Sequence, residues 1–173
     1  LPISTPNQHK PQRLNPPCLA STGQDSCRAP AKVIDAGQRR FAPSIRYLKD
    51  LIQEGYVGSI RAVRMSVGVD AFAPVMPDAV KWVVDDANFT HLLSIYGGHF
   101  HDVLFSTAGF PDQLSAVTKT QFPVTTIAET GQKIPYTSPN EVMVIGTLEG
   151  GALFSVQLEG GQAHRTGLQI DIT

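Results

Sequence analysis

The sequence predicts an α+β fold, in which an open, mostly antiparallel β-sheet carries helices on one face. Two stretches show the three-to-four-residue spacing of apolar side chains that is typical of amphipathic helices. The later part of the chain is rich in strand patterns that follow one another without a helix between them, which favours antiparallel pairing. The predicted order is helix, strand, helix, strand, hairpin, strand.

Composition sets limits on the class of protein. The chain has 173 residues, 42% hydrophobic and 17% charged, which suits one domain with a sizeable core. The net charge of -1 disfavours a nucleic-acid or anionic-membrane partner, because either would select a basic face. No apolar run approaches the roughly 20 residues of a transmembrane helix. The sequence therefore predicts a protein that binds neither nucleic acid nor membrane.

The N-terminal segment differs from the rest of the chain. Residues 1–36 contain six of the 13 prolines and no Phe, Tyr or Trp, so residues 1–30 are predicted to be disordered. The run AKVID, residues 31–35, is compatible with a strand. Cys18 and Cys27 both lie here and are interpreted as incidental, and the cysteine-free remainder favours a cytoplasmic location.

The first helix is predicted at FAPSIRYLKDLIQEGYVG, residues 41–58. Pro43 suits the first turn of a helix, and Gly55 can end it. The apolar spacing is carried by Ile45, Leu48, Leu51 and Ile52. An alternating strand follows at residues 59–69, and residues 70–90 are predicted to be a loop with a helical turn.

A second helix is predicted at residues 91–108, although Gly97 and Gly98 weaken it by about 1 kcal/mol each. Residues 113–122 are predicted to form a strand and the residues up to about 139 a polar loop. Residues 141–161 give the clearest hairpin, because two β-rich runs flank Gly150 and Gly151. The strand at residues 166–173 runs to the last residue, so the domain is expected to be truncated at its C-terminus.

The chemistry-bearing stretch is SIYGGHFHDVLF, residues 94–105. On a helix His99 and Asp102 share a face, whereas His101 points elsewhere. Chelation of a metal by His99 and His101 is disfavoured, because residues two apart on a helix do not face each other. Two readings stay open: a structural histidine, and a general acid–base whose tautomer is fixed by the carboxylate.

The sequence lacks the common motifs of nucleotide binding, serine hydrolysis and zinc proteolysis. The sequence has no GxGxxG, GxxxxGK[ST], GxSxG or HExxH pattern. Asp85 and Asp86 are adjacent in a predicted loop and are interpreted as solvated. No metal site is predicted.

Three segments together resemble the C-terminal domain of the glucose-fructose oxidoreductase, inositol dehydrogenase and rhizopine catabolism (Gfo/Idh/MocA) family. They are AGQRRFAPSIRYLKDLIQEGYVGSI, the helix with GGHFHD, and the hairpin that leads into GLQIDIT. The similarity covers residues 33–173 and is strongest to the Gal80-like branch, which contains dehydrogenase-like proteins and a transcriptional repressor. It implies an open antiparallel sheet that binds substrate and often forms a dimer interface.

The resemblance also implies what precedes this domain in full-length members. They carry a Rossmann domain for NAD or NADP, so residues 31–37 would be the remnant of its last strand and residues 38–173 the substrate and dimerisation domain. The glycine-rich nucleotide loop and the catalytic lysine of that domain are not in this sequence. Residues 1–30 do not resemble the family, and the chain alone is expected to bind no cofactor.

The family's catalytic helix reads Asp-x-Gly-x-His-x-x-Asp. Gly97, His99 and Asp102 match it, whereas Ile95 stands at the first Asp, a departure that the Gal80-like branch shares. The resemblance thus assigns proton transfer to His99 and its orientation to Asp102. Lys81 and Trp82 are candidate contacts to a sugar-like substrate. Arg39 is a candidate cofactor contact or an exposed basic residue at the start of a helix.

Two functions follow from the resemblance. One is the substrate-binding and dimerisation domain of a Gal80-like NAD(P)-dependent oxidoreductase that acts on a sugar or polyol and is inactive alone. The alternative is a non-catalytic regulatory protein that interacts through its sheet, which Ile95 and the missing lysine favour.

Overall fold

A computed structural model describes residues 38–173 of the chain. Three predictions therefore lie outside the described residues: disorder over residues 1–30, the strand at residues 31–35, and the incidental role of Cys18 and Cys27.

The first helix forms where the apolar spacing predicts it, with narrower limits. A 3-10 turn at Gln38–Phe41 leads into α1, Pro43–Gln53. Pro43 occupies the first turn, where its missing N–H costs nothing. Gly55 has φ of +78°, a conformation that favours glycine, and it turns the chain away from the helix. Ile45 is buried beneath the helix.

Five strands form the main sheet. Its order is β3-β6-β7-β1-β8, with bounds Ala62–Gly68 for β1, Pro111–Lys119 for β3, Glu141–Leu148 for β6, Leu153–Glu159 for β7 and Gly167–Ile172 for β8. Within this sheet only the pairing of β1 with β7 is parallel, and the other three pairings are antiparallel. The predicted α+β class and the mostly antiparallel sheet are confirmed, as is the hairpin of β6 and β7.

A second, three-stranded sheet contradicts the predicted polar loop. Its order is β2-β4-β5, with bounds Val75–Met76 for β2, Val124–Ile127 for β4 and Lys133–Pro135 for β5. These strands are too short for alternation to be visible in the sequence. The fully buried Thr125 donates its hydroxyl to the Ala73 carbonyl oxygen at 3.0 Å, so a polar residue serves as core here.

One face of the main sheet is packed and the other is open. Helix α2, Gly98–Ala108, packs Phe100, Val103 and Leu104 into the core, and α1 packs on α2. Phe105 contacts Phe154 of β7 edge-to-face, with ring centroids 5.7 Å apart. The open face exposes four apolar side chains whose cross-strand registers put them on one side: Val117, Met143, Ile145 and Leu153.

Within residues 38–173, no helix has the length and apolar character needed to cross a membrane.

Candidate functional site

The helix that carries His99 begins with an irregular turn. Leu93–Gly97 forms a π-helix, and α2 continues from Gly98. The predicted continuous helix is therefore correct in extent but contains a π-turn, a feature that often occurs at functional sites. Ile95 lies on this turn and His99 lies one turn later.

The carboxylate of Asp102 does not pair with His99 as predicted. Its Oδ2 lies 3.0 Å from Nε of Arg40, and the two side chains are 16% and 33% exposed. Among residues 38–173 no hydrogen bond reaches His99, which is half-buried. A guanidinium is always charged and competes for a carboxylate better than a neutral imidazole does. Arg40 thus fixes the 3-10 turn to α2 beside His99.

Arg39 also contacts α2. Its guanidinium carbon lies 4.6 Å from the ring centroid of Phe100, a cation–π contact with a residue that is 2% exposed. Since Phe100 directly follows His99, the predicted cofactor residue, on its 3-10 turn, contacts the helix that carries the predicted proton-transfer residue. Its role as a cofactor contact stays a prediction.

A cavity of about 350 Å³ lies beside the π-helical turn that precedes α2. Its wall includes Phe72, Met76, Val80, Trp82, Ile95 and Tyr96. The sequence predicted Trp82 as a contact and singled out Ile95, but it did not predict Phe72 or Tyr96. Only the position of Tyr96 next to Ile95 could have pointed to it, and no pattern marks Phe72.

The side chains of Lys81 and Trp82 have different surroundings in the structure. The ammonium of Lys81 pairs with Asp78 at 2.9 Å, both side chains are more than half exposed, and Lys81 does not belong to the cavity wall. Trp82 does belong to it, and its indole Nε1 donates to the Ala79 carbonyl oxygen at 3.1 Å. The structure therefore brings Trp82, but not Lys81, to Ile95.

His91 and Asp86 form a pair that the sequence did not predict. Nε2 of the buried His91 lies 3.2 Å from a carboxylate oxygen of Asp86. The backbone N–H of Ser94 donates to Nδ1 of His91 at 3.4 Å, so the proton of a neutral ring is on Nε2. Asp85 accepts a hydrogen bond from the Ala87 N–H at 2.9 Å. Both carboxylates are exposed, as interpreted from the sequence, but each also has a local partner.

His101 has a structural role. Its Nδ1 donates to the carbonyl oxygen of Gly97 at 2.7 Å, and the ring contacts Phe105. Burial lowers the pKa of His101 below its ordinary value of 6.5, an effect that the hydrogen bond to Gly97 opposes. The neutral ring therefore belongs to the folded state.

We expect the chain to lose stability in acid through His101. Because its pKa is lowered in the folded state, the unfolded chain takes up the proton first as the pH falls below 6.5. The stabilisation that His101 contributes is fully present above pH 6.5. Below that pH, and down to the pKa of the folded state, the free energy of unfolding falls by up to about 1.4 kcal/mol per pH unit. Urea unfolding of His101→Gln should show a weaker dependence on pH in this range. His164→Gln, at an exposed histidine, should keep the original dependence, and identical profiles for all three proteins would refute the assignment.

Among residues 38–173, no three His, Cys, Asp or Glu side chains come together in a group that could hold a metal ion.

Comparison with known proteins finds relatives that share this architecture. The sequence profile described as "Gal80p, C-terminal domain" matches residues 43–173. The galactose/lactose metabolism regulatory protein GAL80 of Saccharomyces cerevisiae is 26% identical over 146 residues, which are 78% of this chain and 34% of that protein.

Solved structures agree with this result. A super-repressor mutant of Gal80p from Saccharomyces cerevisiae superposes with a TM-score of 0.72 at 26% identity, over 79% of this chain and 37% of that one. Levoglucosan dehydrogenase in its apo form gives 0.70 at 25%, over 79% and 38%. The same enzyme in complex with NADH and L-sorbose gives 0.70 at 23%, over 79% and 37%, a likeness of fold. The chain spans a little over a third of the length of these relatives.

Proposed function

The chain belongs to the family of the Gal80p C-terminal domain, and from this premise we propose that residues 38–173 are the substrate-binding and dimerisation domain of a Gal80-like NAD(P)-dependent oxidoreductase. Its substrate is a sugar or a polyol, and its location is the cytoplasm. The observation that carries the proposal is the position of His99. Ile95 lines the cavity, and His99 follows it by one helical turn. A titratable group and a ligand-sized cavity are thus fixed by one helix.

His99 is the general acid–base of the proposed reaction. It would take the proton of the substrate hydroxyl while a nicotinamide, held by a separate nucleotide domain, accepts the hydride. Asp102 acts through Arg40, since their ion pair holds the 3-10 turn against α2. Arg39 would contact the cofactor from that turn, and Trp82 would contact the substrate.

The remaining predicted contact, Lys81, lies outside the cavity wall. It is exposed and already paired with Asp78, so it can reach a substrate only from outside the cavity. The 173-residue chain is proposed to be inactive by itself, because hydride transfer requires a nicotinamide held over the substrate.

A second candidate function is a non-catalytic regulator that works by protein contacts. Ile95 cannot ionise, and Asp102 is bound by Arg40 instead of His99. Both observations leave His99 without a carboxylate partner among the described residues. Joining the chain to a nucleotide domain of the family separates the candidates, since only the oxidoreductase would then reduce NAD or NADP.

Self-association through the open sheet face is part of both candidates. Met143, Ile145, Leu153 and Val117 are 50%, 58%, 61% and 71% exposed on one continuous face. Apolar side chains gathered in this way mark an interaction surface. An antiparallel sheet can accept a second copy face to face, with the same residues used twice.

We expect the chain to sediment as a dimer that Ile145→Asp dissociates. The substitution would remove about 1.5 kcal/mol of apolar burial from each copy. Because a two-fold dimer contains the substituted residue twice, Kd should rise about 100-fold. Sedimentation velocity over a range of concentrations measures this shift. Leu114→Asp is the matched control, because Leu114 is 54% exposed but lies on the opposite face of the sheet. A monomeric parent chain, or equal effects of both substitutions, would contradict the proposal.

A further inference from the structure

We propose that the cavity walled by Trp82 and Ile95 receives a neutral apolar substituent of the ligand, an alkyl or aryl group. This inference rests on the proposed function, because it takes the hydroxyl-bearing part of the same ligand to lie toward His99. It narrows the substrate class from sugars and polyols in general to those that carry an apolar group, such as alkyl or aryl glycosides.

The wall of the cavity is apolar apart from Asp70, and it is rigid on two sides. Phe72 and Met76 are 5% and 4% exposed, so they belong to the core and cannot turn away. Tyr96 is held by an edge-to-face contact with Phe72 at 5.4 Å and a stacked contact with Phe100 at 6.1 Å. A volume of about 350 Å³ is enough for an aromatic ring or a short alkyl chain.

Trp82 presents its ring and not its polar atom. The indole Nε1 is already bound to Ala79 at 3.1 Å, and the backbone oxygen of Trp82 accepts from the Asn88 amide at 2.8 Å. These bonds fix the tryptophan within its own 3-10 segment, Asp78–Val84. Trp82 as a whole is 48% exposed, and what remains for a ligand is its aromatic surface.

The charges near the cavity are matched among themselves. Asp70 is part of the wall, and its carboxylate lies 3.5 Å from Nη1 of Arg165. Lys81, next to Trp82, pairs with Asp78 at 2.9 Å. Neither pair offers an unpartnered charge to a charged ligand, whereas a neutral group suits the apolar side chains of the wall.

Ile95 is the residue that decides this chemistry. A carboxylate at this position would place a charge beside the apolar side chains of Val80 and Met76, and it would favour the hydroxyls of an unsubstituted sugar. Isoleucine instead extends the surface formed by Val80 and Met76. A polyol placed here would bury hydroxyl groups without partners, which is unfavourable.

The test uses the fluorescence of Trp82, the one tryptophan of the chain. The 173-residue protein is titrated with matched pairs of methyl and phenyl glycosides of glucose and galactose, and with benzyl alcohol as an apolar compound without a sugar. We expect the phenyl member of a pair to bind about 10- to 100-fold more tightly than the methyl member, and to shift the emission of Trp82. Equal affinities within every pair, or no binding at all, would overturn the inference.

The two proposals fail separately in this design. If the methyl glycosides bind as well as the phenyl glycosides, the apolar subsite is wrong and the proposed sugar site stands. If benzyl alcohol binds as tightly as the phenyl glycosides, the apolar subsite stands and the proposed sugar substrate is wrong.

Substitutions test whether the preference for phenyl over methyl glycosides arises in this cavity. Ile95→Asp should abolish the preference for phenyl over methyl glycosides, and Val80→Asp, at a position 39% exposed, should do the same with less risk to folding. Val124→Asp places the same charge on an exposed strand residue outside the cavity and should leave the preference intact. Circular dichroism checks that each variant is folded. A preference that survives in folded Val80→Asp would exclude this cavity.

Discussion

Replacing His99 with glutamine is expected to lower kcat/KM by about 10²- to 10⁴-fold in a protein that joins this domain to a nucleotide-binding domain of the family. The loss corresponds to removal of a general acid–base, since glutamine keeps hydrogen-bonding capacity but cannot exchange a proton near neutral pH. Reduction of NAD or NADP is followed with the sugar or polyol that the joined protein oxidises. The 173-residue chain measured beside it should give no turnover.

His164→Gln is the control for this experiment. His164 lies in the exposed connection between β7 and β8, away from α2, so its loss should leave the rate unchanged. Two results would contradict the assignment: an unchanged rate in His99→Gln, or turnover by the isolated chain. A joined protein that binds its cofactor but catalyses no reaction would favour the regulatory candidate.

Phe154→Ala is expected to lower the free energy of unfolding by about 3–5 kcal/mol. Phe154 is 3% exposed and meets Phe105 edge-to-face, so it connects the sheet to the helix that carries His99. Truncation removes both the buried area and the aromatic contact and leaves a cavity that close-packed neighbours cannot fill. Urea unfolding followed by circular dichroism measures the loss.

The adjacent Leu153 offers a control on the same strand. It is 61% exposed on the open face of the sheet, so Leu153→Ala should change the stability by no more than about 0.5 kcal/mol when measured at low protein concentration. Similar losses at both positions would mean that the two faces of β7 are not distinguished as described.

The sequence was sufficient for the elements that repeat over two or more turns or pleats. Helix α1, the hairpin of β6 and β7, and β8 all show a period long enough to identify. The strands of the small sheet are only two to four residues long, so their partners, which come from distant segments, decide their conformation. Gly146 illustrates the same limit: a Cβ there would lie 2.7 Å from the ring of Phe154, a constraint that exists only once the sheet has formed.

For the candidate site, the helical spacing was a better guide to the segment than to the contacts of its side chains. The helical spacing correctly grouped Ile95, His99 and Asp102 on one segment. It could not predict the partner of Asp102, because Arg40 lies some sixty residues earlier and approaches through the packing of α1 on α2. The same holds for Phe72, which reaches the cavity through a left-handed backbone conformation with φ of +61°.

The position of β1 has a consequence for how this domain folds. β1 lies between β7 and β8, and its registers join Ala62 to Leu153 and Val63 to Ile172. Both partners come much later in the sequence, so this side of the sheet is closed by contacts of long sequence separation. Such contacts slow folding, because the entropy of a large loop is lost before the pairing stabilises it. During synthesis β1 therefore leaves the ribosome before β7 and β8 are made, and the backbone N–H and C=O groups along its two edges stay without these partners until then.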